Sequence, residues 1–483
     1  MRQHNCHPRR HFLASSALGL SNVALAWLLN REQAFAQRSR PELEPRPQTT
    51  DPRSPRSVPK AKSMISLWMQ GGPSQLDLFD PKPEMAKYDG QPFPGEIKYD
   101  NAAQASSKVF HSPWKFSPRG ECGMELSELL PHLGDIADNI CLIRSMHTGV
   151  NNHGQSIRAL QTGRILEGRA ALGSWFTYAL GTEADNLPAF VALIDPGQLP
   201  VLGVENWANG FLPAAYQGTV VRPQEPRILD LTPAAHLTGK PQERSLQLLE
   251  ELNRRHLEQH PGLSELEARI STYELAAKMQ TAATEALDLA RETKATQEMY
   301  GMHSANQTTA EFGSRCLVAR RLIERGVRFV QVYTQNQLWD SHGGIIPNLP
   351  KACEKVDQGS AALVRDLEQR GLLDETVVHW GGEMGRLPVL QNDAGRNKIG
   401  RDHNTYGFSS WVAGGGFKQG HVYGKTDDFG HKAIEDIVHH YDYHATLLHL
   451  FGLSTDDATF MSGARKVSLL DGQPGEVIPG LLA

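Results

Sequence analysis

The sequence predicts an α/β fold with a mostly parallel central sheet, helices on both faces and one helical insertion. Apolar runs of strand length recur along the chain, and segments with apolar residues at helical spacing separate them. Strands that alternate with helices favour parallel pairing, because a parallel connection has to cross the sheet and usually does so as a helix. The predicted strands are 63–69, 140–144, 189–194, 327–333, 376–380 and 409–413.

The predicted insertion lies at about residues 241–300 and differs in composition from the rest of the chain. It is rich in Leu, Glu, Ala and Arg at helical spacing. This pattern predicts long amphipathic helices that pack over the sheet. Such helices are usually structural, so no chemistry is assigned to them.

Composition and charge exclude some classes of function. With 483 residues, of which 40% are hydrophobic, the chain can bury a large core. The formal net charge of −5 is spread along the chain, so no basic face indicates a nucleic-acid partner. Many of the 20 histidines fall in the last third, beside Gly, Asp or another His, and this crowding favours a metal site.

The first residues are typical of an export signal. Arg9 and Arg10 precede an apolar stretch that is too short to span a bilayer as a mature helix, and an Ala-Phe-Ala sequence follows it. We interpret residues 1–36 as a cleaved signal peptide of the twin-arginine type; a Sec signal or an uncleaved anchor is the alternative. Residues 37–62 are predicted to be a disordered linker. The folded domain, 63–483, is then expected to be periplasmic or extracellular.

Clusters of polar side chains lie at the ends of the predicted strands. In open α/β sheets, ligands bind in the crevice beyond the carboxyl ends of the strands. Asp and His without a Cys-x-x-Cys pair suit zinc, iron, manganese or a mixed pair, and two adjacent metals are a common device for activating water at a phosphoryl-type centre. The candidate ligands are Asp77, Asp340, His342, Glu383, Asp402 and His403.

Two of these candidates have an equally good structural explanation. Asp77 can cap a turn before a proline, and Glu383 can be the buried partner of Arg386. For Asp340 and His342 the sequence favours ligation, because a strand-end Asp-x-His flanked by glycines leaves both side chains free to converge. The later Asp-His pair is favoured in the same way.

Seven stretches from residue 63 onward together form a recognisable set. They are WMQGGPSQLDLFDPKP, NNHGQSIRALQTGR, RRLIERGVRFVQV, WDSHGG, GLLDETVVHWGGEMGRLP, GRDHNTYGFSSWVAGGGFKQGHVYGKTDDFG and DYHATLLHLFGL. On these stretches the sequence resembles, from residue 63 to its end, the DUF1501 family, whose exported proteins belong to the alkaline phosphatase-like superfamily together with sulfatases and phosphoglycerate mutases. Family members often carry Gly-Arg-Thr-Pro where this chain has Gly385-Arg-Leu-Pro388, which removes one hydroxyl near the predicted site.

The resemblance implies an alkaline phosphatase-like fold and a metal site. Its cofactor would be a divalent metal, zinc or another transition metal, bound as one ion or two. The implied ligands are Asp77 after the first strand, Asp340 and His342 after a middle strand, Glu383 after the next strand, and His403 with Asp402 beside it.

The nucleophile of the sulfatases is missing from this chain. Sulfatases open a helix with Cys or Ser before a Leu-x-Thr-Gly-Arg sequence, and counting back from that sequence at 160–164 gives His153. A classical formylglycine sulfatase is therefore not expected. Asn152 and His153 are predicted to hold an anion or a metal at a helix N-terminus. Ser156 or Thr148 could replace the nucleophile, or water activated by the metal could attack directly.

Two functions from different classes follow. The first is an exported metal-dependent hydrolase of phosphate or sulfate esters, small molecules or polysaccharides, with Arg386 added to Asn152, His153 and Ser156 as a catalytic candidate. The second is a non-catalytic metal-binding or cell-envelope binding protein that keeps the fold. The retained ligand candidates favour the hydrolase, and the missing Cys or Ser favours the binding protein. No nucleic-acid partner and no stable membrane span after signal cleavage are expected.

Export is predicted to depend on the arginine pair. Arg9→Lys combined with Arg10→Lys should leave unprocessed precursor in the cytoplasm, because the twin-arginine translocase recognises the two guanidinium groups. Immunoblots of cytoplasmic and exported fractions measure this, with Arg2→Lys as the matched control. Normal processing of the double variant would instead indicate a Sec signal.

Overall fold

The structure is a computed structural model that describes residues 58–97, 106–228, 231, 239–261, 263–391, 395 and 397–483. The predicted signal peptide and the first part of the predicted linker, up to residue 57, lie outside the described residues. The division of the chain into signal, linker and domain therefore stays a prediction.

Strands and helices alternate along the described chain, as the sequence predicts. The strands are β1 Ser63–Trp68, β2 Phe116–Arg119, β3 Met124–Ser127, β4 Ile140–His147, β5 Phe190–Leu193, β6 Thr219–Val221, β7 Phe329–Tyr333, β8 Thr376–Gly381, β9 Gly385–Arg386, β10 His403–Asn404, β11 Phe408–Ala413, β12 His421–Tyr423, β13 Lys425–Thr426, β14 Ala433–Glu435, β15 Val438–His439, β16 Thr459–Ser462 and β17 Arg465–Ser468. The α-helices are α1 Gln75–Leu78, α2 Pro83–Tyr88, α3 Pro131–Gly134, α4 His153–Thr162, α5 Leu172–Leu180, α6 Lys240–Gln259, α7 Ser264–Leu287, α8 Lys294–Met299, α9 Gln307–Ile323, α10 Ile345–Gln369 and α11 His440–Leu450.

A nine-stranded sheet forms the centre of the fold. Its strand order is β12-β4-β11-β8-β1-β7-β5-β6, and β15 also pairs with β4. The pairs of β1 with β7 and β8, of β5 with β6 and β7, and of β4 with β12 and β15 are parallel. Among the described strands of this sheet, β11 alone runs antiparallel to its neighbours. The α/β class with a mostly parallel central sheet is thus confirmed.

Helices cover both faces of the sheet, and the side chains of β1, which point alternately to the two faces, show this. Ile65 and Leu67 point into a buried cluster shared with α9 and α10. Met64 and Trp68 point into a second cluster, shared with α4, α5 and α11. Successive strand residues face opposite sides of a sheet, so a fully apolar strand such as β1 has to be covered on both sides.

The helical region predicted at about 241–300 is present as α6, α7 and α8. Met279, Ala283 and Ala286 of α7 join the buried cluster on the α9 side of the sheet. By contrast, none of the described side chains of α6 is buried. Within the described part of the chain, no helix combines the length and the apolar character needed to cross a membrane.

The topology brings several loops to one edge of the sheet. The carboxyl ends of β1, β7 and β8 are neighbours because these strands pair in parallel. The strand β11 runs the opposite way, so the segment that enters it arrives at that same edge. The loops after β4, β7 and β8 and the segment before β11 can therefore meet there.

Candidate metal centre

Four side chains converge at this edge of the sheet: His153, Asp340, His342 and His403. Each offers one ligand atom, and these atoms all lie within 4.8 Å of one another. No other group of three or more His, Cys, Asp or Glu residues in the described ranges has this geometry. His342 is the most exposed of the four, with 38% of its side chain accessible, so the group is reached from its side.

Four separations within this group are close to the spacing of ligands around one metal ion. With metal–ligand bonds of about 2.0–2.1 Å, two ligands of a tetrahedral site lie about 3.3 Å apart. The separations are 3.0 Å between Nε2 of His342 and Nε2 of His403, 3.2 Å from His342 Nε2 to Asp340 Oδ1, 3.4 Å from His153 Nε2 to Asp340 Oδ2, and 3.5 Å from His403 Nε2 to Asp340 Oδ1.

Separate elements deliver these side chains. His153 is the first residue of α4, whose N-cap Asn152 accepts a hydrogen bond from the backbone N–H of Gln155 at 3.2 Å. Asp340 and His342 lie in the loop between β7 and α10. His403 begins β10, just before β11.

Two glycines allow the loop that carries Asp340 and His342 to approach the neighbouring segments of the site. Gly71 has a φ of +109°, and a Cβ there would lie 2.6 Å from the backbone nitrogen of Asp340. A Cβ at Gly400 would lie 2.2 Å from the carbonyl carbon of His342. Any larger residue at either position would push the loop out of place.

All three imidazoles are oriented in the same way, since Nδ1 of each lies within hydrogen-bond distance of an oxygen acceptor. With a metal bound, each Nδ1 would carry the proton and donate it, and each Nε2 lone pair would face the ion. The pairs are His153 with Glu383 Oε1 at 2.7 Å, His342 with Gln391 Oε1 at 3.1 Å, and His403 with the backbone oxygen of Asn151 at 3.2 Å.

The carboxylate of Asp340 is held in its ionised form. Burial raises the pKa of Asp340, but the charge of Arg386 and the hydrogen bonds from His153 and His403 outweigh burial, so this pKa lies well below its usual range. Nη2 of the fully buried Arg386 lies 2.7 Å from Asp340 Oδ1. An ionised carboxylate is the form that binds a metal.

Two of the histidines differ in their protonation. Burial and the charge of Arg386 lower the pKa of His342, which keeps it neutral and suited to ligation. Burial also lowers the pKa of His153, but hydrogen bonds to Asp340 and Glu383 outweigh burial and raise it to about 9. In the metal-free protein His153 is therefore protonated at neutral pH, and binding of a metal has to release this proton.

Asp77 does not join the group, although it was a predicted ligand. It is fully buried, and Arg401 binds both of its carboxylate oxygens at 2.9 and 3.1 Å. The hydroxyl of Ser74 donates to the same carboxylate at 2.5 Å. Both oxygens are occupied by these donors, so the structure places Asp77 in a buried ion pair rather than at the metal centre.

Glu383 and Asp402, two further predicted ligands, do not join the group but accept hydrogen bonds from two of its residues. Oε1 of Glu383 accepts from His153 and from the backbone N–H of Gly71, at 2.7 and 2.9 Å. Oδ1 of Asp402 accepts from the backbone N–H of His403 at 2.9 Å. The predicted ligands brought together are thus Asp340, His342 and His403.

The remaining catalytic candidates have mixed placements. Arg386 contacts the group through Asp340. Ser156 is fully buried, and its hydroxyl donates to the backbone oxygen of Glu383 at 2.7 Å. Thr148 Oγ1 lies 3.2 Å from Ser156 Oγ. The sequence did not predict Gln391 as a partner of His342, because Gln391 lies in no recognisable motif.

Comparison with known proteins places the chain among proteins of unassigned activity. The family described as "Protein of unknown function (DUF1501)" matches residues 61–482. No curated protein gives a match.

Solved structures of low similarity include three enzymes. The sulfatase PsFucS1 from Pseudoalteromonas sp. is 11% identical over 83% of this chain and 69% of that chain, with a TM-score of 0.36. The lipoteichoic acid synthase LtaP from Listeria monocytogenes is 8% identical over 85% and 76%, with a TM-score of 0.35. The phosphonate monoester hydrolase SpPMH from Silicibacter pomeroyi is 11% identical over 67% and 68%, with a TM-score of 0.31. At these TM-scores the likenesses say nothing about the chemistry of this chain.

The four-residue group is predicted to bind a divalent metal tightly. His342→Ala should lower both metal content and melting temperature, because the ion binds the folded state only and contributes about 2.7 kcal/mol when its free concentration is a hundred times its Kd. Elemental analysis and calorimetry of the purified protein, with and without a chelator, measure both effects. The exposed His303→Ala is the matched control. A metal-free protein whose melting ignores chelators would contradict the assignment.

Proposed function

The chain belongs to the DUF1501 family, and on this premise we propose that it is a metal-dependent hydrolase of phosphate or sulfate esters. The observation that carries the proposal is the convergence of three imidazole Nε2 atoms and one ionised carboxylate within 4.8 Å of one another. A protein that bound no metal would have no need for three histidines that are each oriented by a separate acceptor. We further propose that the protein is exported and that its substrate is a small molecule or a polysaccharide.

The residues of the site fit a divalent transition metal. His153, His342 and His403 would supply nitrogen ligands and Asp340 an oxygen ligand, a donor set that suits zinc, iron or manganese. Nε2 of His153 is buried and lies 3.4 Å from Asp340 Oδ2, so it would become available to a cation once its proton is released. A metal bound here would polarise the ester and make water more acidic.

The N-terminus of α4 is suited to hold the charged oxygens of the ester. The first N–H groups of a helix have no partner within it, and the helix dipole favours negative charge there. In α4 the cap occupies the N–H of Gln155 with Asn152 Oδ1, and the N–H of Ser156 reaches the Asn152 carbonyl. The N–H groups of His153 and Gly154 precede these in the first turn, and we propose that they bind the oxygens of the ester.

The proton balance of hydrolysis can be met by buried carboxylates. Water forms a new bond to phosphorus or sulfur, the bond to the leaving alcohol breaks, and one proton passes from the water to the alcohol. Oε2 of Glu383 and Oδ2 of Asp402 are buried and have no hydrogen-bond partner among the described residues. These two atoms are the candidates to take up the proton of the attacking water.

Direct attack by water fits the structure better than attack by Ser156. The hydroxyl of Ser156 donates its proton to the backbone oxygen of Glu383, which is not a base that could activate it for attack. One observation favours the second function, a non-catalytic binding protein: His153 stands where related sulfatases carry Cys or Ser. Turnover by the metal-replete protein separates the two functions.

Activity should depend on the ligands and not on the nearby hydroxyls. We expect hydrolysis of an aryl phosphate or aryl sulfate to fall at least about a hundredfold in His153→Ala and Asp340→Asn, because both variants weaken the metal site. Ser156→Ala and Thr148→Ala should retain activity, since no covalent intermediate needs their oxygens. Initial rates on metal-replete proteins measure this.

Two results would contradict this mechanism. Loss of activity in Ser156→Ala with a trapped phospho- or sulfo-enzyme in the wild type would establish covalent catalysis. Absence of turnover across a broad panel of esters would favour the binding protein.

A further inference from the structure

A cleft of about 700 Å³ lies beside α2 and the start of β2, apart from the four metal ligands. Its aromatic lining is Trp114 and Phe116, and its basic lining is Lys82, His111 and Lys115. None of the described residues that line it is acidic. We call it the Trp114 cleft. Its volume is in the range of cavities that hold small molecules or one to three sugar units.

The two aromatic rings of the Trp114 cleft are available to a ligand. Both Trp114 and Phe116 are partly exposed, and neither ring stacks on another aromatic ring in the described ranges. An indole offers an apolar face beside a polar N–H, and it suits a partner that is apolar on one side and wet on the other. A sugar ring, with a C–H face and a rim of hydroxyls, is such a partner.

A second cavity of about 590 Å³ adjoins the cleft, and Pro81 and Lys82 line both. The second cavity adds basic side chains at Arg144, Lys418 and Lys425. Lys82 pairs with Asp80 at 3.0 Å, which leaves four Lys and Arg side chains and two other carboxylates in the two cavities, on a chain whose formal net charge is −5. This surface therefore favours an anionic ligand that is long enough to occupy both cavities.

The Trp114 cleft is connected through the backbone to the metal centre. The N–H of Phe110 donates to the carbonyl of Pro388 at 2.9 Å, and the N–H of Leu390 donates to the carbonyl of Lys108 at 2.9 Å. The next residue, Gln391, orients His342. The segment just before His111, which lines the cleft, is thus hydrogen-bonded to the segment that leads to Gln391.

We propose that the Trp114 cleft and the adjoining cavity bind a chain of anionic polysaccharide that bears sulfate or phosphate groups. The role of this polymer as substrate rests on the proposed hydrolase function, whereas its binding does not. An acidic peptide or a single-stranded nucleic acid would be attracted by the same charges. The proline-rich, aromatic walls without acidic residues favour the sugar polymer over an acidic peptide.

Binding of soluble polymers tests the proposal without turnover. Titration calorimetry compares dextran sulfate, neutral dextran of the same length, polyaspartate and a DNA oligonucleotide. We expect dextran sulfate to bind the wild-type protein most tightly and affinity to fall about tenfold in both Trp114→Ala and Lys115→Glu. Tyr273→Ala and Lys466→Glu, at exposed positions elsewhere, are the matched controls and should bind as the wild type does.

The possible outcomes are distinct. Trp114 packs in part against the core, so its variant is checked by its melting temperature, while the exposed Lys115→Glu keeps the test valid if Trp114→Ala unfolds. Failure of dextran sulfate to bind, equal binding of polyaspartate or DNA, or unchanged affinity in Lys115→Glu would overturn the proposal. Polymer binding without ester turnover would leave it standing and would refute the hydrolase function instead.

Discussion

The carboxylate of Asp340 is the interaction on which the site depends. Three imidazole nitrogens and one guanidinium lie 2.7–3.5 Å from its two oxygens. A carboxylate and imidazole lone pairs at such spacing repel one another unless a proton or a metal lies between them. In the metal-free protein the proton of His153 and the charge of Arg386 stabilise the carboxylate, and a metal would replace the proton.

The fold explains why distant segments can build this centre. Parallel pairing places the ends of β7 and β8 side by side, and the reversed strand β11 returns His403 to them. The residues that orient the ligands are also distant from them in sequence. Glu383 contacts His153 across 230 positions, and Gln391 contacts His342 across 49. The sheet, rather than any local motif, sets their geometry.

Much of the fold was predictable because long apolar runs have few alternatives to a buried strand. The short strands β12 and β15 were not predicted, since they have three and two residues and no apolar run to mark them. At the site, the glycine-flanked Asp340 and His342 were recognisable from the strand that precedes them. The pairing of Asp77 with Arg401, 324 positions apart, had no signal in the sequence, so a metal role could not be separated from an ion pair there.

X-ray absorption spectroscopy of the metal-loaded protein tests the central claim most directly. We predict a first shell that contains three imidazole nitrogens and one carboxylate oxygen, at about 2.0–2.2 Å for zinc, with loss of one imidazole in His153→Ala. A shell made of oxygen atoms alone, or one unchanged when His153 is replaced, would contradict it.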